Sequence, residues 1–294
     1  MFKTAVFGYG NVGRFAVEAV LHSGDMRLAG IADPLCAGQK SAGVTIVASA
    51  EELPDFDAAI LALPSRLTPD IAARLLATGV HTADAYDIHG NIPTLRTRLD
   101  GIAKSAGARA VLAAGWDPGS DSIIRAVLEI MAPQGISYTD FGPGVSMGHS
   151  VAARDLPGVS DALSVTIPTG SGIHRRMVYV ELKEGAVLAD VSAAVKADDY
   201  FAHDETHVVA VESVAALRDV GHGVNIERKG VSAGAHNQLL RFDTRINGPA
   251  VTGQILACAI RAAAKQKPGC YTMIEIPPVD FLEMSREEAV HRLV

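Results

Sequence analysis

Apolar positions in the first part of the chain alternate between two periods. Residues 4–7 (Thr-Ala-Val-Phe) form a short apolar run, after which Val12, Phe15, Ala16, Ala19 and Val20 recur at helical spacing as far as Ser23-Gly24. Residues 26–32 predict a second strand, 44–47 a short one and 50–53 a helical turn. Residues 57–63 are almost continuously apolar, as in a parallel strand buried on both faces, and Pro64-Ser65 ends them. The pattern then predicts a helix capped by Thr68, with Pro69 at its first position, running to Gly79. A strand at 80–85, a helix at 92–106 and a strand at 109–114 follow. Strand and helix in strict alternation predict a parallel sheet with right-handed crossovers.

The pattern changes around Trp116-Asp117-Pro118-Gly119. A helix is predicted at 121–132, and beyond it runs of period two at 163–167, 175–182, 207–211, 223–228 and 239–246, with one helix at 187–197. Strands with few helices predict an antiparallel sheet and a second, α+β domain. A long helix from Pro249 to about residue 265 is expected to return to the first lobe, followed by a strand at 272–276 and a helix at 286–293. The expected division is 1–118 completed by 250–294, with 119–249 as the second domain.

Between the first strand and the first helix stands Gly8-Tyr9-Gly10-Asn11-Val12-Gly13. In this setting the first glycine permits a tight turn, the second lets the backbone approach a pyrophosphate, and the third lets the helix pack on the strand. Amides at the helix start then face the phosphate. The fold class is therefore α/β: an N-terminal Rossmann-type, doubly wound parallel sheet that binds a dinucleotide, and a second α+β domain for substrate and oligomerisation. Asp33, twenty residues past Gly13, suits a ribose 2′-hydroxyl; the other reading is a turn-forming Asp before Pro34. Leu63, Pro64, Ser65, Asp84 and Tyr86 follow predicted strands at the edge where such sheets bind cofactors.

Composition narrows the function. The chain has 294 residues, net charge −7, 48% hydrophobic and 20% charged residues. An acidic balance argues against a nucleic-acid partner, and no apolar run reaches the roughly 18 residues that span a bilayer. The N-terminus enters a strand at once, so no signal peptide is expected and the protein is placed in the cytoplasm. Cys36, Cys258 and Cys270 are too scattered for a disulfide framework or metal cage and are expected as free thiols. Without Gly-x-Ser-x-Gly, His-Glu-x-x-His or Cys-x-x-Cys, acyl-serine hydrolysis and zinc chemistry lack support, and no metal is expected.

Three polar clusters follow strands of the first lobe: Ser65; Asp84, Tyr86, Asp87 and His89; and Trp116-Asp117. Carboxylates with an indole make a socket for an amino group, the indole face favouring a cation by about 0.5–2 kcal/mol. Asp87 and Asp117 also each precede a predicted helix, so a capping role stands beside the ligand role. The second lobe offers donors instead: Thr166, His174-Arg175-Arg176 and His222. Arginine grips a carboxylate with two parallel bonds, although an arginine on a strand is more often a solvated face. Acceptors in one lobe and donors in the other predict a cleft for an amino acid. The glycine-rich stretch 142–150 either lends amides to a carboxylate or serves as a hinge.

These motifs together resemble the meso-diaminopimelate dehydrogenases over nearly the whole chain. The resemblance rests on 8–14 (Gly-Tyr-Gly-Asn-Val-Gly-Arg), 85–90 (Ala-Tyr-Asp-Ile-His-Gly), 114–119 (Ala-Gly-Trp-Asp-Pro-Gly) and 141–150 (Phe-Gly-Pro-Gly-Val-Ser-Met-Gly-His-Ser). It continues in 166–170 (Thr-Ile-Pro-Thr-Gly), 221–223 (Gly-His-Gly) and 267–272 (Lys-Pro-Gly-Cys-Tyr-Thr). It implies NADP-dependent, reversible oxidative deamination of the D-centre of meso-2,6-diaminopimelate, in lysine biosynthesis, by a homodimer or higher homo-oligomer. It further implies that Asp87, Trp116 and Asp117 hold the D-amino acid end and that Phe141, Met147 and Gly148 shape the pocket. Thr166, Arg176, His222 and Asn247 would clamp the distal end. Two positions depart from the family. Asp33-Pro34-Leu35-Cys36 stands where relatives carry basic residues for the 2′-phosphate, and Lys40 is the next cation, so the cofactor expectation is NADP or NAD. Gly248 replaces a distal-end asparagine, leaving Asn247 to substitute for it or point away. Two alternatives remain: a D-amino acid dehydrogenase of broader specificity, and a non-catalytic dinucleotide sensor.

Overall fold

The N-terminal run forms β1 (Phe2–Phe7) in a computed structural model that describes residues 1–217 and 222–294. After it come α1 (Asn11–Leu21), β2 (Met26–Ala32), a ribbon of β3 (Lys40–Ser41) and β4 (Val44–Thr45), and β5 (Ala58–Leu61). Next are α2 (Thr68–Ala77), β6 (His81–Asp84), α3 (Ile92–Ala106), β7 (Arg109–Val111) and α4 (Ser120–Met131). Strands β2, β1, β5, β6 and β7 pair in parallel, as the alternation predicts. The period of two puts Val6, Ile31 and Ile60 into one apolar layer with α1, and Ala5, Phe7 and Leu61 into the other with α2 and α3. Two local expectations are corrected. Thr68 lies inside α2, its hydroxyl donating to Pro64 O at 3.3 Å, and Leu67 takes the cap position. Residues 44–47 make no single strand: Val44–Thr45 pairs with Lys40–Ser41, and Val47 bridges Ala32.

The chain divides into Met1–Ile123 with Pro249–Val294, and Ile124–Gly248. In the second unit, β8 (Gln134–Phe141), β9 (Gly144–Val145) and α5 (Met147–Arg154) precede the long strands β10 (Val159–Gly170) and β11 (Ile173–Leu182). Then come α6 (Leu188–Ala197), β12 (Glu205–Ala210), β13 (His222–Ser232) and β14 (Ala235–Ile246). The expected single antiparallel sheet is corrected to two among the described residues, ordered β12-β11-β10-β9 and β14-β13-β8. β12 runs parallel to β11, because α6 lies between them in the chain and makes the connection a crossover rather than a hairpin. Val178, Val180, Val195 and Phe201 form this unit's core with Ala152 and Ala153 of α5.

The first unit is completed by α7 (Gly248–Ala264), β15 (Gly269–Tyr271) and α8 (Arg286–Leu293). Leu256 and Ile260 of α7 join the α1 layer. β15 pairs in parallel with β7, giving the order β15-β7-β6-β5-β1-β2. The predicted strand at 272–276 is thus corrected: the strand lies just before it, and Thr272 opens a single helical turn, Met273–Glu275, through a reciprocal cap with Glu275. That cap holds the backbone in a turn despite the apolar residues around it.

Candidate active site

In the first unit the register sets Phe7 beside Leu61 and Leu61 beside Asp84, so β1, β5 and β6 end in one row. The glycine turn leaves this row. A Cβ on Gly13 would lie 1.9 Å from Gly8 O, so α1 approaches β1 only because that residue has no side chain. A Cβ on Gly10 would meet nothing within 4 Å, which leaves open room in front of the turn. Bonding inside α1 begins with Arg14 N donating to Gly10 O at 3.1 Å, so the amides of Asn11, Val12 and Gly13 stand ahead of it. Open room and leading amides fit a pyrophosphate. Asp33 closes the far side of the turn: Oδ2 accepts from Tyr9 N at 2.6 Å and Oδ1 from Leu35 N at 2.8 Å.

Leu63 is half-buried and Pro64 exposed after β5, and Ser65 is buried. Ser65 belongs to the chemistry of Asp87: its Oγ donates to Asp87 Oδ1 at 2.6 Å and accepts from Asp87 N at 3.1 Å. Neither carboxylate sits at a helix cap, since the N-cap of α3 is Asn91 and α4 starts at Ser120. Asp84, expected to face the cofactor, is fully buried. Its Oδ1 accepts from Tyr86 N at 3.0 Å and Ala113 N at 3.1 Å, while Oδ2 has no partner. Burial pushes its carboxyl up to about 6. Asp84 therefore steadies backbone: Ala113, held at φ 56°, turns the chain out of the sheet toward Trp116. Tyr86 is buried too, burial raising its phenol, whereas His89 is exposed.

Trp116 and Asp117, both half-buried, stand on a loop pinched at its base by a bridge between Gly115 and Gly119. Gly119 has φ 143°, and a Cβ there would lie 1.8 Å from Gly115 O. Asp121 N and Ser120 Oγ donate to Trp116 O at 2.9 and 3.1 Å, anchoring the loop to the start of α4.

In the second unit, pairing aligns Gly144, Thr166, Arg176 and Thr206 across four strands. Arg176 is 9% exposed; its Nη1 donates to Thr166 Oγ1 and its Nε to Asp204 Oδ2 at 2.5 Å. Arg175, one residue earlier, points the other way and pairs with Glu205 in solvent. The glycine-rich stretch becomes β9 and the start of α5, with Met147 and Gly148 half-buried at the first turn. Ser146 Oγ contacts His149 Nδ1 at 2.8 Å, and burial, then Arg176, push His149 down to about 3.

Phe141 N donates to His174 Nε2 at 2.7 Å. His174, expected as a donor, is thus an acceptor on that nitrogen, and burial, then Arg176, lower its imidazole. Phe141 pairs with Val224, and His222 with Ile246, the residue before Asn247, so these residues gather at one end of the three-stranded sheet. Asn247 is exposed; Gly221 and the His222 side chain lie outside the described residues.

No motif in the sequence marks Asp204. The only signal was an acidic pair, Asp204-Glu205, just ahead of a predicted strand.

Among the described residues there is no group of His, Cys, Asp and Glu arranged to hold a metal. The "Oxidoreductase family, NAD-binding Rossmann fold" matches residues 2–83, and the glycine turn and strand-end carboxylates are those of a nucleotide-dependent oxidoreductase. Residues 115–248 match the "Diaminopimelic acid dehydrogenase C-terminal domain". The chain is 52% identical over 295 residues to the meso-diaminopimelate D-dehydrogenase of Bacteroides fragilis, covering 99% of each. It is 30% identical to that of Ureibacillus thermosphaericus, over 94% of each. The chain belongs to the meso-diaminopimelate D-dehydrogenase family. A solved Corynebacterium glutamicum diaminopimelate dehydrogenase in complex with diaminopimelate superposes with TM-score 0.84 at 25% identity, covering 100% of this chain and 99% of that one. An engineered D-amino acid dehydrogenase bound to NADP⁺ gives 0.90 at the same identity and coverage.

Proposed function

We propose that this chain catalyses reversible oxidative deamination of the D-centre of meso-2,6-diaminopimelate with NADP or NAD. The products are L-2-amino-6-oxopimelate and ammonia, and the step serves lysine biosynthesis. Full-length kinship with the Bacteroides fragilis enzyme carries this reading. Each unit supports it chemically. Asp87, Asp117 and the Trp116 ring suit an ammonium, and Thr166 and Arg176 suit a carboxylate. The substrate bears both groups at each end.

The glycine turn and the α1 amides hold the dinucleotide, which when bound supplies the hydride acceptor. Ser65 fixes the Asp87 carboxylate so that one oxygen is oriented before substrate arrives. Asp87 and Asp117 hold the D-amine, and one of them takes its proton as hydride leaves the carbon. Water then adds to the carbon–nitrogen double bond and ammonia departs. Arg176, pre-aimed by Asp204, holds the distal end and sets which centre is presented.

Initial rates with meso-diaminopimelate and each nicotinamide dinucleotide test the proposal, and no substrate-dependent reduction would refute it. Arg176→Ala should raise KM for diaminopimelate more than tenfold with nucleotide binding intact; an unchanged KM removes the clamp. Exposed Asn247, followed by Gly248, favours one second reading, a D-amino acid dehydrogenase of wider range, which a panel of D-amino acids separates.

A homo-oligomer is supported by Ile136 and Leu239, 59% and 49% exposed, which flank Lys229 on one face of the three-stranded sheet. No described helix is long and apolar enough to cross a membrane. With three free cysteines, a reducing cytoplasmic setting fits.

A further inference from the structure

We infer that this chain selects the dinucleotide with a free adenosine 2′-hydroxyl over its 2′-phosphorylated form, and that the turn built around Asp33 makes the selection. The inference rests on the dinucleotide reading of the glycine turn and refines it. In such a sheet, the end of the second strand is where the adenosine ribose lies. Here that end is Ala32, and Asp33 follows it.

Apart from Ala37 N, the backbone donors of this turn are already engaged. Asp33 N donates to Val47 O at 2.9 Å. Pro34 has no N–H. Leu35 N donates to Asp33 Oδ1 at 2.8 Å. Cys36 N donates to Asp33 O at 3.2 Å, Gly38 N to Ile46 O at 2.8 Å and Gln39 N to Cys36 O at 3.1 Å. The side chains at 35–38 are Leu, Cys, Ala and none, so the turn carries no cation.

The carboxylate itself cannot step aside. Tyr9 N holds Oδ2 at 2.6 Å, and Leu35 N holds Oδ1. Swinging it away would leave both amides without their acceptor, one of them in the glycine turn. A carboxylate oxygen has room for more than one donor, so a ribose hydroxyl can still be received. A 2′-phosphate would bring like charge to a fixed anion, with at most the single amide of Ala37 to set against the repulsion. Arg14, the cation nearest the glycine turn in sequence, is tied to Tyr9: its Nε donates to Tyr9 O at 3.4 Å and its guanidinium lies 5.3 Å over the ring. Tyr9 in turn bonds Ser41 of the β3–β4 ribbon through its hydroxyl.

Fluorescence titration of the full chain with NADH and NADPH, without substrate, tests this directly. The expected result is NADH at least tenfold tighter, with ADP-ribose displacing it better than 2′-phospho-ADP-ribose. Asp33→Ser should weaken NADH and bring the two affinities near parity. Leu35 is 91% exposed, so Leu35→Arg leaves the Asp33 bonds intact. That variant should tighten NADPH severalfold and leave NADH unchanged, which keeps the test open should Asp33→Ser fail to fold. Equal or tighter NADPH binding by the unaltered chain overturns the inference. Binding of neither nucleotide overturns the dinucleotide reading and the inference with it.

Discussion

Asp204 fixes the direction of a guanidinium that the family resemblance singles out. With Nε on Asp204 and Nη1 on Thr166, Arg176 has no freedom to fold back along its strand. Asp204→Asn keeps the size and loses the charge, so KM for diaminopimelate should rise about five- to tenfold, roughly 1 kcal/mol, with nucleotide affinity unchanged. Asp204→Glu should recover part of it, and steady-state kinetics beside a nucleotide titration would check both. Asp84 offers a different test. Its folded pKa is raised to about 6 by burial, so the folded state keeps a proton that the unfolded chain has released. The stability this contributes is present below the unfolded value, near pH 4, and is lost as pH rises through about 6. Asp84→Asn removes that dependence: relative to wild type the variant should gain on the order of 2–3 kcal/mol between pH 4 and 7.5. Urea unfolding across that range measures it, and parallel curves would refute it. His149, held neutral well below its usual range, pulls the wild-type profile the other way as pH falls, so the comparison must be variant against wild type. In the sequence, Arg176 stands only within a set of donors, Thr166, His174-Arg175-Arg176 and His222, and the family resemblance is what separates it from Arg175. Asp204 was not visible, because its partner lies 28 residues away and only the register brings them together.

Among elements, the Trp116 loop depends on one residue that lacks a side chain. Gly119 lies at φ 143° and a Cβ would collide with Gly115 O, so Gly119→Ala must open the pinch. The variant should lose about 2–4 kcal/mol and most of its kcat, while NADH still binds; thermal melts and rates would show whether loop and nucleotide site separate this way. The nucleotide half was legible because its strands are buried on both faces and its helices have clean ends. β2, α3 and α8 fall where the pattern puts them. β8 was not foreseen, because its first four residues are exposed and no apolar face marks them. β14 is exposed or half-buried along its length, and its pattern still alternates strictly enough to be read. The pairing of β12 could have been deduced, since a helix between two neighbouring strands implies a parallel crossover. The contents of the site followed the same division: glycines and strand-end acids announce themselves locally, whereas Ser65 on Asp87 and His174 on Phe141 are long-range bonds with no local trace.

For the whole molecule, association is the property to test. Leu239→Glu replaces one of the two exposed apolar residues that flank Lys229 with a charge, and Ile136→Asp does so on the strand at the other side. Sedimentation at micromolar concentration should show a dimer for the unaltered chain and a monomer for the double variant. A net charge of −7 adds repulsion between copies, so raising salt should favour the dimer rather than dissolve it. One feature of the topology bears on how the molecule comes into being. The strand that closes the first unit's sheet, β15, pairs with β7, and all of the second unit lies between them in sequence. A ribosome therefore delivers Ile124–Gly248 as one uninterrupted stretch but the nucleotide half in two portions. Until Gly269 emerges, β7 is an open edge, and the α1 side of the sheet lacks Leu256 and Ile260. The nascent chain carries that uncovered surface through most of its synthesis, which makes this the interval when it is most exposed to aggregation and most in need of a chaperone.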